Sequence, residues 1–466
     1  MKHLLVFVMA LMLCADGYSA GDSTGKSRLL ELQQDFVDLK FGMFIHFNMP
    51  TFWDADWPDP DADKDVFNPA GMDCSQWAEA AKSAKMRYGC LTTKHHSGFC
   101  IWDTETTDYS VGSNVFGRDV VKEFADAFRK EGLEVMLYYS ILDMHHGIRP
   151  GCISREHVEF IKDQLTELLT GYGKISALII DGWDAPWSRI SYEEVPFAEI
   201  YRLVKRLQPD CLVMDLNAAK YPAAGLFYTD IKSYEQNAGQ HISTRENRLP
   251  ALSCLPLQQN WFWKTSFPAT PVKDPRVLVE DNLVPFNRAH CNFILNVAPN
   301  SEGLLDGNAV EALAEIGRLW DDAEEIPGLD PSAVGMPVIA ENVAKFQRAN
   351  SSWSDDYAIM DFGNDDDFGT AWRSSPSVDE PWYEVEFFRD RPVNAVCIVD
   401  RERSIRSYRL MYESAGEWKE ILRREDDGRE IKLERFGRIY GSKIRVEIVE
   451  SNRAPSIWEF CVYDEQ

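Results

Sequence analysis

Short apolar segments alternate with amphipathic stretches from about residue 27 to about residue 335. Within residues 118–132, apolar side chains at positions 120, 121, 124, 127 and 128 form one helical face, and Gly132 marks its end. Eight strands with intervening helices over about 300 residues predict an α/β fold, a (β/α)8 barrel of the TIM type. An open doubly wound sheet is the alternative, which is disfavoured because no G-x-G-x-x-G motif follows the first strand. The predicted strands cover residues 40–47, 88–95, 134–140, 177–183, 211–216, 230–235, 252–256 and 292–299.

The pattern changes after about residue 340. Short alternating segments separated by turn residues replace the helical stretches, which is typical of an antiparallel β-sandwich. We therefore predict a barrel domain over 27–335 and a β-sandwich domain over 345–466, joined by the Pro- and Gly-containing segment 324–337. The candidate strands of the second domain are 382–388, 394–400, 407–414, 442–450 and 457–464.

The first twenty residues have the pattern of a signal peptide. Lys2 and His3 precede an apolar run that is too short to span a bilayer, and no other segment is long and apolar enough. We expect residues 1–20 to be removed and the protein to be secreted or periplasmic. A lipid anchor at Cys14 is the alternative; Leu13, in front of it, is not the small residue expected there.

Composition narrows the classes of partner. A formal net charge of −26 repels nucleic acid and anionic membranes and suits a neutral substrate. Ten cysteines without a C-x-x-C pair disfavour a zinc site. Nine cysteines remain if Cys14 is removed with the signal peptide. We expect most of them to be buried free thiols, and the sequence leaves open whether one or two disulfides form.

Polar side chains follow five of the predicted barrel strands, where TIM barrels place their active sites. Two carboxylates on different strands, surrounded by aromatic and neutral hydrogen-bonding groups, fit glycoside hydrolysis. Asp181 would be the nucleophile of a retaining mechanism and Glu235 the acid/base. The strand-end residues are His46; Lys94, His95 and His96; Tyr138, Tyr139 and Ser140; Asp181 with Trp183; and Tyr234 with Glu235. Of these, the candidate substrate-binding residues are His46, His95, His96, Tyr138, Tyr139 and Trp183.

Other interpretations of these residues remain open. Taken singly, a strand-end histidine is commonly structural, and an aspartate before glycine is commonly a turn residue. A metal-dependent hydrolase could use His46, His95 and His96, but adjacent histidines on a strand point to opposite faces. We expect no metal and no cofactor. The acidic run 59–65 lacks the glycine and final glutamate of an EF-hand and is interpreted as a solvated loop.

Several motifs resemble the α-L-fucosidases of glycoside hydrolase family 29. They include "KFGMFIHF", "TKHHSGF", "DYSV", "LIIDGW" and "NFILNVAPNSEGLL", and the resemblance runs across residues 35–325. It implies retaining hydrolysis of terminal α-L-fucose from fucosylated oligosaccharides or glycoconjugates, with Asp181 as the nucleophile and Glu235 as the acid/base. The fucose-binding positions that it implies are His46, Asp56, Trp57, His95, His96 and one of Tyr138 and Tyr139.

The sequence departs from that family in the expected pocket. Ile179 stands where the family has tryptophan, Leu216 where it often has arginine, and "ALSCLP" replaces a Trp-Glu segment. Retained carboxylates with an altered pocket favour the same chemistry with relaxed or changed specificity, for example toward a galactoside. A carbohydrate-binding protein with a weak or inactive barrel is the alternative from another class.

The C-terminal segment resembles a coagulation factor 5/8 type C, or discoidin, domain. The motifs "DDDFGTAW", "WYEVEF", "IRSYRLMYES" and "KIRVEIVESNRAPSIWEFCVYD" follow that family's order. The resemblance implies a sugar-binding or bracing role, without identifying binding residues. The sequence leaves the oligomeric state open.

Overall fold

The computed structural model describes residues 23–355 and 359–465. The predicted signal peptide and Cys14 lie outside these residues. Within them, no helix is long and apolar enough to cross a membrane. The domain boundaries at 27–335 and 345–466 stay predictions.

Eight parallel strands form the first sheet, which confirms the barrel-type α/β fold. Their order is β5-β4-β3-β2-β1-β8-β7-β6, so each strand lies beside its neighbour in sequence and β8 returns to β1. The C-terminal ends of all eight strands therefore face the same way. The strands are β1 (Phe41–Ile45), β2 (Tyr88–Lys94), β3 (Glu134–Ser140), β4 (Ala177–Asp181), β5 (Leu212–Asp215), β6 (Lys232–Glu235), β7 (Ala251–Pro256) and β8 (Cys291–Asn296).

Asp230 joins β5 to β6, the two strands at the ends of the sheet order. Its backbone N–H donates to the Val213 carbonyl at 2.8 Å, and its carboxylate accepts from the Val213 N–H at 2.9 Å. Lys205 Nζ lies 2.8 Å from Asp230 Oδ2 and compensates the charge of this buried carboxylate. A side chain thus supplies part of the hydrogen bonding that a regular strand ladder would provide at this seam.

Strand β4 shows how alternation builds the interior. Ala177 and Ile179 face the apolar cluster inside the barrel, whereas Leu178 and Ile180 pack outward against the helices. Asp181 follows Ile179 by two residues on the inward face, because strand side chains repeat with period two. The nucleophile candidate therefore stands directly above the apolar interior.

The helices cover the outside of the barrel, and their starts follow the capping rules. The helical face predicted within 118–132 is α4, whose N-cap Asp119 accepts from the Lys122 N–H at 2.8 Å. Gly132 beyond its end takes a φ of 74°, which suits glycine. The helices are α1 (Ser23–Asp38), α2 (Pro50–Trp53), α3 (Cys74–Ser83), α4 (Val120–Lys130), α5 (Arg155–Gly171), α6 (Phe197–Leu207), α7 (Pro275–Val277), α8 (Val284–Arg288), α9 (Gly307–Leu319) and α10 (Pro331–Val334), with a π-helical turn at Leu278–Leu283 between α7 and α8.

The C-terminal region consists of antiparallel strands, as predicted, but with different boundaries. The predicted strands 382–388 and 394–400 are two halves of one long strand, with register shifts between them where the chain bends. A strand over 417–424 was absent from the prediction because its exposed, charged sequence lacks an apolar face. The strands are β9 (Arg348–Ser351), β10 (Trp372–Arg373), β11 (Trp382–Val399), β12 (Ile405–Ser414), β13 (Glu417–Arg424), β14 (Ile431–Ser451), β15 (Ser456–Ile457) and β16 (Glu459–Tyr463).

This second region packs directly on the barrel. Along β11, Val396 and Ile398 face the core of the antiparallel region, whereas Cys397 and Val399 join the apolar cluster that surrounds the barrel. Both faces of the C-terminal part of this strand, residues 395–399, are therefore buried. Among the described residues, all nine cysteines are free thiols, and eight of them are buried, which leaves Cys152 exposed.

Candidate active site

Asp181 lies at the end of β4 with its carboxylate held by two side chains. The Tyr138 hydroxyl donates to Oδ2 at 2.6 Å, and the Asn217 amide donates to Oδ1 at 3.1 Å. Burial raises the pKa of Asp181 to about 6, against the opposing effect of these two hydrogen bonds. The carboxylate is thus oriented on both oxygens and ionises near neutral pH.

Glu235 ends β6, two strands after β4, at the same C-terminal end of the barrel. Burial and the charge of Asp181 raise its pKa to about 7, and a hydrogen bond from the Trp261 side chain opposes the shift. The Glu235 backbone N–H is bound by the Gln240 side chain at 2.9 Å. Two carboxyls with unequal environments and mutual repulsion are the arrangement that separates an acid from a base.

Three neutral histidines surround the carboxylates. Burial lowers the pKa of His46 and of His96 to about 3, and that of His95 well below its ordinary value. His46 Nδ1 lies 2.7 Å from Asn296 Oδ1, which can only accept, so Nδ1 carries the proton and Nε2 is an acceptor. His95 Nδ1 has no hydrogen-bond partner among the described residues.

The tautomer of His96 follows from Ser140. The serine hydroxyl donates to the Leu142 carbonyl at 2.8 Å, so it accepts from His96 Nδ1 at 2.7 Å. The free acceptor Nε2 then points into the site, 3.9 Å from Asp181 Oδ2. The expectation that His95 and His96 point to opposite faces is wrong: β2 ends at Lys94, and the two rings lie 3.8 Å apart.

Lys94 and Tyr139 lie outside the site: Tyr139 because it alternates with the inward-facing Tyr138 along β3, and Lys94 because of a β-bulge in β2. The register with β3 shifts between Thr92 and Lys94, so Lys94 turns outward on the same side as Tyr139. Lys94 Nζ contacts the Tyr139 hydroxyl and Asp143, both at 2.9 Å, in a fully buried cluster. Of the tyrosine pair only Tyr138 faces the site, and the assignment of Tyr139 to substrate binding is corrected.

Tryptophan side chains form the rim, but Trp183 is not one of them. Its ring is fully buried behind β4, and its indole N–H donates to the Val195 carbonyl at 2.9 Å. Residue Gly182 reverses the chain with a φ of 117°, which directs Trp183 away from the mouth. Trp187, later in the same loop, takes the place at the rim, with its ring 4.2 Å from that of His96.

Trp57 completes this aromatic rim, as predicted from the sequence position. Its ring stacks on His96 at 4.7 Å and meets Trp187 at 5.6 Å; the two tryptophans are 47% and 40% exposed. Asp56 beside it pairs with Lys264 at 2.8 Å and contacts the Asn260 amide at 3.3 Å. The loop that follows α2 is thereby tied to the segment that carries Trp261.

Four contributing residues were absent from the predicted site. Asn217 lies just beyond β5, Trp261 lies after β7, Trp187 lies late in the loop after β4, and Asn296 was noted only as a motif residue. A search two to six residues beyond each strand end would have found the first three, because barrel sites are built from these loops. Ile179 and Leu216 lie in the apolar interior cluster, below the carboxylates.

The alpha-L-fucosidase family model matches residues 60–324, which is more than half of the chain. The chain belongs to the alpha-L-fucosidase family. The F5/8 type C domain model matches residues 342–460. Alpha-L-fucosidase 1 of Arabidopsis thaliana is 31% identical over 303 residues, which cover 59% of this chain and 57% of that protein. The chain therefore spans less than two thirds of that relative's length.

Two further proteins resemble this chain at lower identity. Tissue alpha-L-fucosidase of Homo sapiens is 23% identical over 327 residues, covering 61% of this chain and 66% of that protein. The solved structure of alpha-L-fucosidase isoenzyme 1 from Paenibacillus thiaminolyticus superposes with a TM-score of 0.52 at 22% identity, covering 95% of this chain and all of that one. At this identity the structural match supports the fold alone.

Proposed function

We propose that this alpha-L-fucosidase family member is a retaining exo-glycosidase that removes terminal α-L-fucose from glycans. The observation that carries the proposal is the pair Asp181 and Glu235 at the ends of β4 and β6, close enough for one charge to raise the other's pKa. A retaining enzyme requires roughly 5 Å between the two carboxyls. Membership of the family supports the substrate, and the carboxyl pair supports the mechanism.

In the first step, Asp181 attacks the anomeric carbon of the sugar. The C1–O bond to the leaving group breaks as the bond from an Asp181 oxygen forms, and Glu235 transfers its proton to the departing oxygen. Tyr138 and Asn217 hold the carboxylate in one orientation, which limits the reorganisation needed for attack. The raised pKa of Glu235 keeps that carboxyl protonated until it is used.

In the second step, water releases the sugar. Glu235, now ionised, accepts a proton from water while the water oxygen bonds to C1 and the ester bond to Asp181 breaks. Both carboxyls return to their starting protonation states. Two displacements at the same carbon give net retention of configuration.

The lining of the site fits a neutral sugar. His46 and His96 are uncharged and each presents an Nε2 acceptor, and Trp57 and Trp187 present aromatic edges and faces. Acceptors bind hydroxyl hydrogens, and aromatic faces pack on the apolar face of a pyranose.

Kinetics on aryl glycosides tests this proposal. We expect hydrolysis of aryl α-L-fucoside, a loss of at least about 10³-fold in kcat for Asp181→Ala, and a loss of about 10²- to 10⁴-fold for Glu235→Ala. Azide should restore turnover to Glu235→Ala on an activated substrate. Asp61→Ala, which removes an exposed carboxylate from the 59–65 loop, is the control and should retain full activity.

The same screen separates the alternatives. Faster hydrolysis of aryl β-D-galactoside than of α-L-fucoside would assign the altered specificity that Ile179 and Leu216 suggested. Glycan binding without turnover of any aryl glycoside would instead identify a carbohydrate-binding protein with an inactive barrel. Undiminished activity in Asp181→Ala would remove the nucleophile assignment.

We also propose export, directed by the apolar segment within residues 1–20. Fractionation of cells that express the full chain tests it. Mature protein outside the cytoplasm, beginning after residue 20 and without lipid, supports a cleaved signal peptide. A lipid-modified N-terminal Cys14 would support the anchored alternative.

A further inference from the structure

A chain of alternating charges connects the loop that carries Trp187 to the C-terminal region. This rim loop comprises residues 182–195, between β4 and α6. Lys220 contacts Asp184 near the start of the rim loop, and Lys345 lies 3.6 Å from Glu193 near its end. Asp366 accepts from both lysines, each at 3.0 Å. The Asp366 carboxylate of the C-terminal region thus links the two ends of the rim loop.

These charges are sheltered enough to act as fixed contacts. The side chains of Lys220, Lys345 and Asp366 are 26%, 20% and 18% exposed. Exposed ion pairs contribute little, but partly buried networks lose less of their attraction to solvent. Tyr221, next to Lys220, packs against Phe368, two residues after Asp366, with ring centroids 5.4 Å apart. This aromatic contact holds the two segments together beside the ion pairs.

The rim loop contains two unfavourable backbone conformations. It has left-handed backbone at Asp184, with a φ of 48°, and at Arg189, with a φ of 56°, neither of which is glycine. Such conformations persist where surrounding contacts hold them. Trp187, at the tip, touches His96 but is 40% exposed, so its position depends on how the loop is held.

We propose that Asp366 is a positioning residue for substrate binding: through Lys220 and Lys345 it holds the rim loop so that Trp187 lines the mouth of the site. The F5/8 type C region thereby acts on the barrel's specificity through a direct contact. The kinetic part of this inference rests on the proposed glycosidase function, whereas the structural part does not.

Asp366→Asn is the variant that tests the link. Asp366 has a φ of 61°, a region that asparagine tolerates well, so the fold should survive the change. The matched control is Asp367→Asn, which makes the same charge change on the same loop at a carboxylate whose hydrogen-bond donor, within the residues that the structure describes, is the backbone N–H of Gly369. Lys345→Met is a second variant that removes a single arm of the network.

Hydrogen exchange measured by mass spectrometry gives the structural readout on the full chain. We expect faster exchange in residues 182–195 for Asp366→Asn than for wild type or Asp367→Asn, with Lys345→Met intermediate and the barrel strands unchanged. Kinetics gives the second readout: KM for the glycoside that the wild type hydrolyses should rise about tenfold in Asp366→Asn, with kcat within about twofold.

The outcomes distinguish the two proposals. A wild type that hydrolyses no glycoside would overturn the proposed function, while the exchange comparison would still test the link. Unchanged exchange in residues 182–195 of Asp366→Asn would overturn the link. A KM equal to that of Asp367→Asn in an active enzyme would overturn its role in substrate binding.

Discussion

At the scale of single residues, the site depends on which hydrogen-bond partner each polar atom already has. Tyr138 and Tyr139 are adjacent in sequence and both fully buried, yet one donates to Asp181 and the other to Gln164. Sequence identified the pair but left the inward member open. The alternation of β3 and its register with β4 decide it, and which face of β3 turns inward has no signature in composition.

The tyrosine pair offers a matched test. Tyr138→Phe removes the hydroxyl that binds the Asp181 carboxylate, so kcat/KM should fall about 10- to 100-fold, the value of a hydrogen bond to a charged group. Tyr139→Phe should leave kcat/KM within about twofold and lower stability by about 1 kcal/mol through the outer cluster. Equal kinetic losses in the two variants would contradict the assignment of Tyr138.

The protonation states predict a narrow bell-shaped pH profile. The proposed mechanism requires ionised Asp181 and protonated Glu235, whose pKa values are raised to about 6 and about 7. As pH falls through the lower value the nucleophile is protonated, and as pH rises through the upper value the acid is lost. Because the carboxyls interact, the two limbs of kcat/KM against pH describe the pair.

The basic limb is the diagnostic part of that profile. Glu235→Gln acting on a fucosyl fluoride, which needs no protonation to leave, should lose the basic limb and keep the acidic limb. A basic limb that persists in Glu235→Gln would show that another group supplies the proton.

At the scale of elements, most of the barrel strands were predictable because they are short apolar runs that end in polar residues, whereas β6, with Tyr234 as its one large apolar side chain, carried a weaker signal. The directions of side chains beyond the strand ends were not. Trp183 follows β4 by two residues, yet the left-handed turn at Gly182 buries it, and Trp187 reaches the rim instead. Long loops decide such positions by tertiary contact, which local pattern does not encode.

Replacing the two tryptophans separates these roles. Trp187→Ala should raise KM about five- to tenfold by removing an aromatic contact to the sugar, with little change in unfolding temperature. Trp183→Ala should lower the free energy of unfolding by about 3–5 kcal/mol, because it leaves a cavity and an unpaired carbonyl at Val195. Thermal unfolding and steady-state kinetics on both variants check this. An unchanged KM in Trp187→Ala would contradict its place at the mouth.

At the scale of the whole molecule, the barrel and the C-terminal region share an interface that no sequence motif indicated. Along β11, residues facing the barrel alternate with residues facing the core of the C-terminal region. The sequence pattern predicted a β-sandwich but did not indicate what its outer face packs against. Glu459, at the start of β16, is fully buried there, and its Oε1 accepts from the Asp366 N–H.

Glu459 makes the stability of the molecule depend on pH. Burial raises its pKa to about 8, so the protonated form is favoured in the folded state. This contribution is complete below the pKa of the unfolded chain, near 4.5, and is lost as pH rises through 8. Glu459→Gln should therefore be more stable than wild type at pH 8.5 by at least about 1 kcal/mol and similar to it at pH 4.5.

Denaturant unfolding at the two pH values measures that difference. Glu417→Gln, on the exposed edge strand β13, removes the same charge from the surface and is the control. A Glu459→Gln stabilisation that is equal at both pH values, or equal to that of Glu417→Gln, would contradict the buried, protonated state.

In the proposed retaining mechanism, Asp181 forms a covalent bond to the sugar. A 2-deoxy-2-fluoro-fucosyl fluoride should trap that ester, because the fluorine slows the second step more than the first. Peptide mass spectrometry of the inactivated enzyme should find one fluorofucosyl group on Asp181. Attachment to a different residue, or turnover of natural substrate to the inverted anomer without any adduct, would contradict the account.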